Sequence, residues 1–198
     1  MKHPSNIEQL GKLPINFMGM IFYDKSPRLA SNLSLSNLNT LPKHIERVGV
    51  FVDAGIDYIM DKINDYNLDL VQLHGNESPD FCRELNKTMP IIKAFSISEV
   101  ADIKKTADYE GLRGYFLFDT KTPAYGGSGK KFDWEIIHQY TGNTPFFLSG
   151  GISAEDITAI KEIKHPRFAG IDLNSRFETE PGLKDINLLE QFIKGIKQ

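Results

Sequence analysis

Two hydrophobic periodicities alternate along this chain, and their order limits the folds open to it. Short, mostly apolar runs with strand character lie at Phe17–Tyr23 (FMGMIFY), Arg47–Val52 (RVGVFV), Leu68–Leu73 (LDLVQL), Ile91–Phe95 (IIKAF), Tyr115–Phe118 (YFLF), Pro145–Leu148 (PFFL) and Phe168–Leu173 (FAGIDL). Runs this short without polar alternation suit strands covered on both faces. Around them fall eight segments of helical pattern, at about 5–12, 35–45, 55–66, 79–88, 98–108, 133–141, 154–164 and 185–197. Ser78-Pro79 sets a cap before proline at a first helical position. Ser5-Asn-Ile-Glu8 and Ser153-Ala-Glu-Asp156 read as capping boxes. Repeated strand–helix units predict a parallel sheet with helical crossovers.

Seven strands against eight helices leave a helix at the front with no strand before it. An open doubly wound sheet tolerates that; a closed barrel would lack its first strand. The strand ends choose between the two. "DKSPR" follows Phe17–Tyr23, "HGNE" follows Leu68–Leu73, and Asp119-Thr120 follows Tyr115–Phe118. Ser149-Gly150-Gly151 follows Pro145–Leu148, and "NSRFE" follows Phe168–Leu173. Polar, glycine-rich chemistry at five carboxyl ends fits the mouth of a barrel better than one switch point. The expected fold class is α/β, a (β/α)8 TIM barrel in one domain over 1–198, with strand 1 missing from the chain. Two sheet edges would then be unpaired, inviting strain, disorder or intermolecular pairing at Phe17–Tyr23 and Phe168–Leu173.

Composition excludes several classes. At 198 residues, 40% hydrophobic and 25% charged, the chain suits one ordinary globular domain. A net charge of −3 gives no electrostatic drive toward nucleic acid or an anionic membrane. Its single cysteine cannot form an internal disulfide, which fits a reducing compartment. "MKHPSNIEQLGKL" lacks the apolar centre of a signal peptide, and no apolar run nears the roughly 20 residues that span a bilayer. The expectation is a cytoplasmic protein with no nucleic-acid or membrane partner.

Glycine-rich turns cradle anions through backbone N–H groups. Ser149-Gly150-Gly151 is placed for a phosphate, as is Asn174-Ser175-Arg176, since barrel phosphate sites favour the last loops. Gly126-Gly127-Ser128-Gly129 would form a third wall. It is not a nucleotide P-loop, which needs glycine at Ala124 and Ser or Thr at Lys131. Asp119 directly after an apolar run is often only a turn former or helix cap. The next helical pattern starts near Asp133, so capping explains it poorly, and a partly buried carboxyl at a strand end suits proton donation.

With these motifs in place, the chain resembles the phosphoribosylanthranilate isomerase family. "GMIFYDKSPR", "VGVFVD", "VQLHGNE", "FLFDTKTPAYGGSGKKFDW", "FFLSGGI" and "IDLNSRFETEPGLKD" keep the family's order and spacing from Phe17 to the C-terminus. The resemblance implies a single (β/α)8 barrel and an Amadori rearrangement without metal or cofactor. N-(5-phosphoribosyl)anthranilate would become 1-(2-carboxyphenylamino)-1-deoxyribulose 5-phosphate in tryptophan biosynthesis. By the same resemblance Asp119 is the general acid, and Arg28 contacts the anthranilate carboxylate. Gly127, Ser128, Gly150, Gly151, Ser175 and Arg176 hold the ribose phosphate; where many members have "SSG" this chain has "NSR". His74 is assigned to substrate contact, and the partner implied is a small phosphosugar bound by a monomer or homodimer.

The family's general base is a cysteine ending its first strand, in a Lys-Ile-Cys-Gly-like motif. That motif is absent from this chain, and Cys82, its one cysteine, sits mid-helix where a packing role is expected. The chain as written is therefore expected to be weakly active or inactive. The alternative is a noncatalytic phosphosugar-binding barrel remnant. A rival enzyme reading, a Schiff-base aldolase, would rest on Lys93 in "PIIKAF". Asp53 and Asp172 read as loop or network hydrogen bonders, and Lys25 and Lys121 as either steering or plain surface lysines. His3, His44, His138 and His165 are scattered, so no metal site is expected.

Overall fold

The computed structural model describes residues 1–31, 33–120 and 133–198, in two compact units. In chain order the elements are α1 (Pro4–Leu10), β1 (Phe17–Ile21), α2 (Leu35–Leu38), β2 (Glu46–Phe51), α3 (Ile56–Tyr66), β3 (Leu70–Leu73), α4 (Pro79–Asn86) and β4 (Ile91–Ile97). Then come α5 (Val100–Lys104), β5 (Gly114–Thr120), β6 (Phe146–Leu148), α6 (Ile157–Glu162), β7 (Phe168–Ile171), β8 (Glu178–Glu180), β9 (Leu183–Lys184) and α7 (Ile186–Lys197). All seven expected strands form, and every expected helical segment contains helix.

The first unit joins Met1–Asn76 to Phe177–Gln198. Its strands β1, β2 and β3 are parallel, with Met20 opposite Gly49 and Gly49 opposite Val71. Met20, Phe51, Leu73, Ile7, Leu38 and Ile59 are fully buried there. Each such side chain contributes about 1.5–3 kcal/mol of hydrophobic stabilisation. Phe177 packs edge-on against Phe192 of α7, ring centroids 4.8 Å apart. The Met1 ammonium donates to the Gly19 carbonyl of β1. α3 ends on Asn67, whose left-handed backbone (φ 48°) turns its N–H onto the Ile63 carbonyl.

The second unit, Glu77–Arg176, holds β4 to β7, also parallel. Its core is aromatic: Phe118 stacks on Phe146 at 4.6 Å, and Tyr140 meets Phe118 edge-on at 5.4 Å. Gly114 opens β5 at φ 136°, where any side chain would strike the Ile91 carbonyl oxygen of β4. Only glycine lets β5 begin in register with its neighbour.

Several local expectations are corrected. Ser5 does not cap α1. The helix starts one residue earlier, with extended His3 before Pro4 at the first helical position, because the residue before proline is driven out of helical geometry. The 35–45 segment is helical only over Leu35–Leu38, and Pro42 lies ahead to bar continuation. The 133–141 segment is a 3₁₀ turn, Trp134–Gln139, started by the Asp133 side chain accepting from Glu135 N at 3.0 Å. The β8–β9 hairpin was not expected, although its Pro181-Gly182 turn, with Gly182 at φ 87°, is a turn signal in its own right.

Asp102 near the start of α5 tests how such caps act. Its carboxylate accepts from Ser98 N and Ser98 Oγ, each at 3.0 Å, and from Lys105 Nζ at 2.6 Å. Burial pushes its pKa up, but these hydrogen bonds and the Lys105 charge outweigh burial and take it from 3.8 to about 2. The folded value is the lower one, so this group's stabilisation is present above its unfolded value and fades as pH falls toward about 2. Asp102→Asn is expected to lower the urea midpoint at neutral pH. The gap to the parent should close between about pH 4 and 2; a gap independent of pH would contradict this account.

Candidate active site

In the second unit, Asp119 sits one residue inside the carboxyl end of β5, opposite Ser96 of β4. It is part of the strand rather than the residue after it, because pairing with β4 continues through Thr120. Its Oδ1 accepts the Thr120 N–H at 2.9 Å, which fixes the carboxyl by its own backbone. The Thr120 hydroxyl in turn donates to the Gly150 carbonyl at 3.3 Å.

Gly150 and Gly151 both take left-handed backbone, φ 90° and 71°. A side chain at Gly150 would lie 2.6 Å from Thr120 N and would strike the Thr120 hydroxyl. The sequence therefore needs glycine here for two reasons, the torsion and the close approach. Behind the turn, Ser149 Oγ donates to Asp172 Oδ2 at 3.3 Å, and Asp172 N donates to the Leu148 carbonyl at 2.7 Å. The chain then enters the Ser153–Asp156 capping box, with Ser153 N on Asp156 Oδ2 at 2.7 Å. Ser175 and Arg176 open a 3₁₀ turn after β7. Gly127 and Ser128, with Lys121, lie outside the described residues.

In the first unit, Arg28 follows β1. Its main chain is pinned by Ser26 Oγ, which accepts Arg28 N–H at 3.1 Å, and by the bridge of neighbouring Leu29 to Ile21. Its guanidinium grips Glu178 of β8: Nε lies 2.8 Å and Nη2 2.7 Å from Oε2. His74 Nδ1 lies 2.9 Å from Gln72 Nε2. An amide nitrogen only donates, so Nδ1 is the acceptor of this pair. Asp53 adopts φ 50° and accepts Asn76 N–H at 2.6 Å, the loop role expected of it.

Two cautionary residues are also placed. Cys82 is fully buried, with Sγ 4.0 Å from the Glu77 carbonyl oxygen, and burial pushes its thiol up to about 11. A sealed thiol of that kind is a poor base and nucleophile. Lys93 Nζ lies 2.8 Å from Glu77 Oε2, both side chains 3% exposed. An ammonium locked onto a buried carboxylate is not an amine poised for Schiff-base chemistry. Among the described residues no group of three or more His, Cys, Asp or Glu side chains is gathered as a metal set. No helix among them is long and apolar enough to cross a membrane.

Sequence reasoning missed Thr120 and Glu178. Thr120 is visible only as the partner of the acid in "DT". Glu178 is visible only as an acid beside a Pro-Gly turn, and its partner lies 150 residues away.

A family model described as N-(5'phosphoribosyl)anthranilate (PRA) isomerase matches residues 1–195. The N-(5'-phosphoribosyl)anthranilate isomerase of Parabacteroides distasonis is 51% identical over 199 residues, covering 99% of this chain and 90% of that protein. The crystal structure of phosphoribosyl anthranilate isomerase from Thermus thermophilus superposes with a TM-score of 0.87 at 25% identity, covering 100% of this chain and 95% of the other. A further phosphoribosyl anthranilate isomerase structure, in complex with reduced 1-(o-carboxyphenylamino)-1-deoxyribulose 5-phosphate, superposes with a TM-score of 0.77 at 28% identity, covering 98% and 92%.

Proposed function

We propose, from the premise that the chain belongs to the N-(5'-phosphoribosyl)anthranilate isomerase family, that Asp119 is its general acid and the Gly150-Gly151 turn its phosphate cradle. The fold class is that of the α/β (β/α)8 barrels, with seven parallel strands among the described residues. The protein is an isomerase of tryptophan biosynthesis acting on a small molecule. Its reaction is the Amadori rearrangement of N-(5-phosphoribosyl)anthranilate to 1-(2-carboxyphenylamino)-1-deoxyribulose 5-phosphate.

In this reading the Asp119 carboxyl gives its proton to the furanose ring oxygen as the C1–O bond breaks, and the anthranilate nitrogen forms a Schiff base with C1. A base then takes the C2 proton, and the enolamine tautomerises to the ketone. Ring opening and tautomerisation are driven by proton transfers to and from the substrate, and the rearrangement leaves its overall oxidation state unchanged. Arg28 takes the carboxylate of the anthranilate and His74 a further substrate contact. Ser175 and Arg176, with Gly127 and Ser128, complete the phosphate end. The base is the open role: the one cysteine of these residues, Cys82, is sealed and does not fill it. The reading extends to a cytoplasmic enzyme, monomer or homodimer.

The observation that carries this reading is the coupling of acid and glycine turn. Asp119 and Thr120 are adjacent on β5, and Thr120 holds the Gly150 carbonyl, which leaves a left-handed glycine pair whose N–H groups suit an oxyanion. The test is calorimetric titration with reduced 1-(2-carboxyphenylamino)-1-deoxyribulose 5-phosphate and with the same compound lacking phosphate. Gly150→Ala carries about 1–2 kcal/mol of backbone strain, besides the clash with Thr120. It is expected to cut the preference for the phosphorylated ligand by about tenfold. An unchanged preference would remove the cradle assignment.

A further inference from the structure

Around Arg28 the first unit gathers three charged side chains with little water. Glu178 is 3% exposed, Arg28 13% and Lys184 10%. Glu178 Oε1 accepts from Arg28 Nε at 3.1 Å, from Lys184 Nζ at 3.2 Å and from Gly182 N at 3.2 Å, while Oε2 takes Arg28 Nε and Nη2. Burial alone would raise the Glu178 carboxyl, but the Arg28 hydrogen bond and the Lys184 and Arg28 charges outweigh it and hold it below its ordinary value.

Two features of this cluster point past a structural clasp. The first is stereochemical. A guanidinium offers a side edge, Nε with Nη2, and an end edge, Nη1 with Nη2, each able to meet a carboxylate with two parallel hydrogen bonds. Glu178 takes the side edge, so the fork is held with its end edge turned away from its holder. The second is charge. The Glu178 carboxylate is shared between the Arg28 guanidinium and the Lys184 ammonium, so Arg28 does not have its counter-charge to itself in this dry setting. The backbone is braced as well: Lys2 Nζ donates to the Pro27 carbonyl at 3.0 Å, and the Lys2 stem lies where a side chain on Gly182 would be.

We infer that Glu178 is a positioning residue for substrate recognition: it aims the end edge of Arg28 at the carboxylate of the anthranilate, and Lys184 supplies the charge that keeps Arg28 from being neutralised by its own holder. The inference rests on the reading of Arg28 given above. It makes Glu178 and Lys184 determinants of selectivity for an aryl carboxylate, although neither touches the reacting atoms.

The test compares two probes by calorimetry: reduced 1-(2-carboxyphenylamino)-1-deoxyribulose 5-phosphate, and the 1-phenylamino analogue lacking the carboxylate. The parent is expected to favour the carboxylated probe by about tenfold or more, and Glu178→Gln, which keeps the shape, to bring that ratio down to about twofold. Affinity for the analogue should stay within about twofold of the parent, a split that general loosening of the fold would not give. If Glu178→Gln does not fold, Lys184→Met, which leaves the Arg28–Glu178 pair intact, is expected to cut the ratio by about threefold. Arg28→Met separates the two failures. A ratio that survives Arg28→Met means the Arg28 assignment is wrong. A ratio lost in Arg28→Met but kept in the Glu178 or Lys184 variant overturns the positioning role and leaves the Arg28 assignment standing. Equal loss for both probes in the Glu178 or Lys184 variant reduces the cluster to a clasp and overturns the inference.

Discussion

Asp119→Asn is expected to lower turnover of phosphoribosylanthranilate by about 10²–10⁴-fold, the usual worth of a placed general acid. Asparagine has the same shape and keeps an oxygen to accept the Thr120 N–H, the bond that fixes the side chain now. It has no proton of comparable acidity to give the departing ring oxygen. The fold should therefore persist, with affinity for the reduced product analogue changed by no more than a few-fold. The rate is read from loss of anthranilate fluorescence, in whichever of the two chains compared next is the faster. A variant as fast as its parent would move ring opening to another group, and a parallel collapse of binding would make Asp119 structural.

The second large effect concerns the base. A version of the chain carrying one more strand ahead of Met1, ending in Lys-Ile-Cys-Gly, is expected to turn over about 10²–10⁴-fold faster than the 198 residues alone. The reason lies in the thiol already present. Cys82 is buried in α4 and its thiol is pushed up to about 11, so almost none of it is thiolate near neutral pH and none of it is open to substrate. Equal, fast turnover in both chains would place the base among the present residues and break the mechanism proposed. Tight phosphosugar binding without turnover in either would favour a noncatalytic binding protein.

How much of this was legible beforehand differs from element to element. The strands were, since four to seven apolar residues bounded by turn chemistry have few other uses, and so was the Ser78-Pro79 helix start, where Ser78 Oγ accepts Phe81 N–H at 3.2 Å. Helix form was less so. Trp134–Gln139 shows the apolar spacing of an α-helix yet winds as 3₁₀, a choice that spacing alone does not make. Ser5 looked like a cap because its side chain and Glu8 fit the pattern, but Pro4 had already fixed the start by steric exclusion. The two-residue strand β9 is too short to carry any periodicity.

The candidate site divides along the same line. Asp119, Gly150, Gly151 and Arg28 stand out in sequence because each is a residue type set at the end of a strand, and strand ends are local features. Their couplings are not local. Thr120 reaches Gly150 across 30 positions and Arg28 reaches Glu178 across 150, distances at which no periodicity or cap rule operates. What the sequence determined by itself was the order of strands and helices and the chemical kinds at their ends, because torsional preference and apolar spacing act over a few residues. What only the tertiary structure decided was which of those ends hold one another, that Cys82 and Lys93 are sealed, and that the guanidinium of Arg28 already has a carboxylate on one edge. Burial and ion pairing depend on which groups share a dry volume, and that is settled only when distant segments pack.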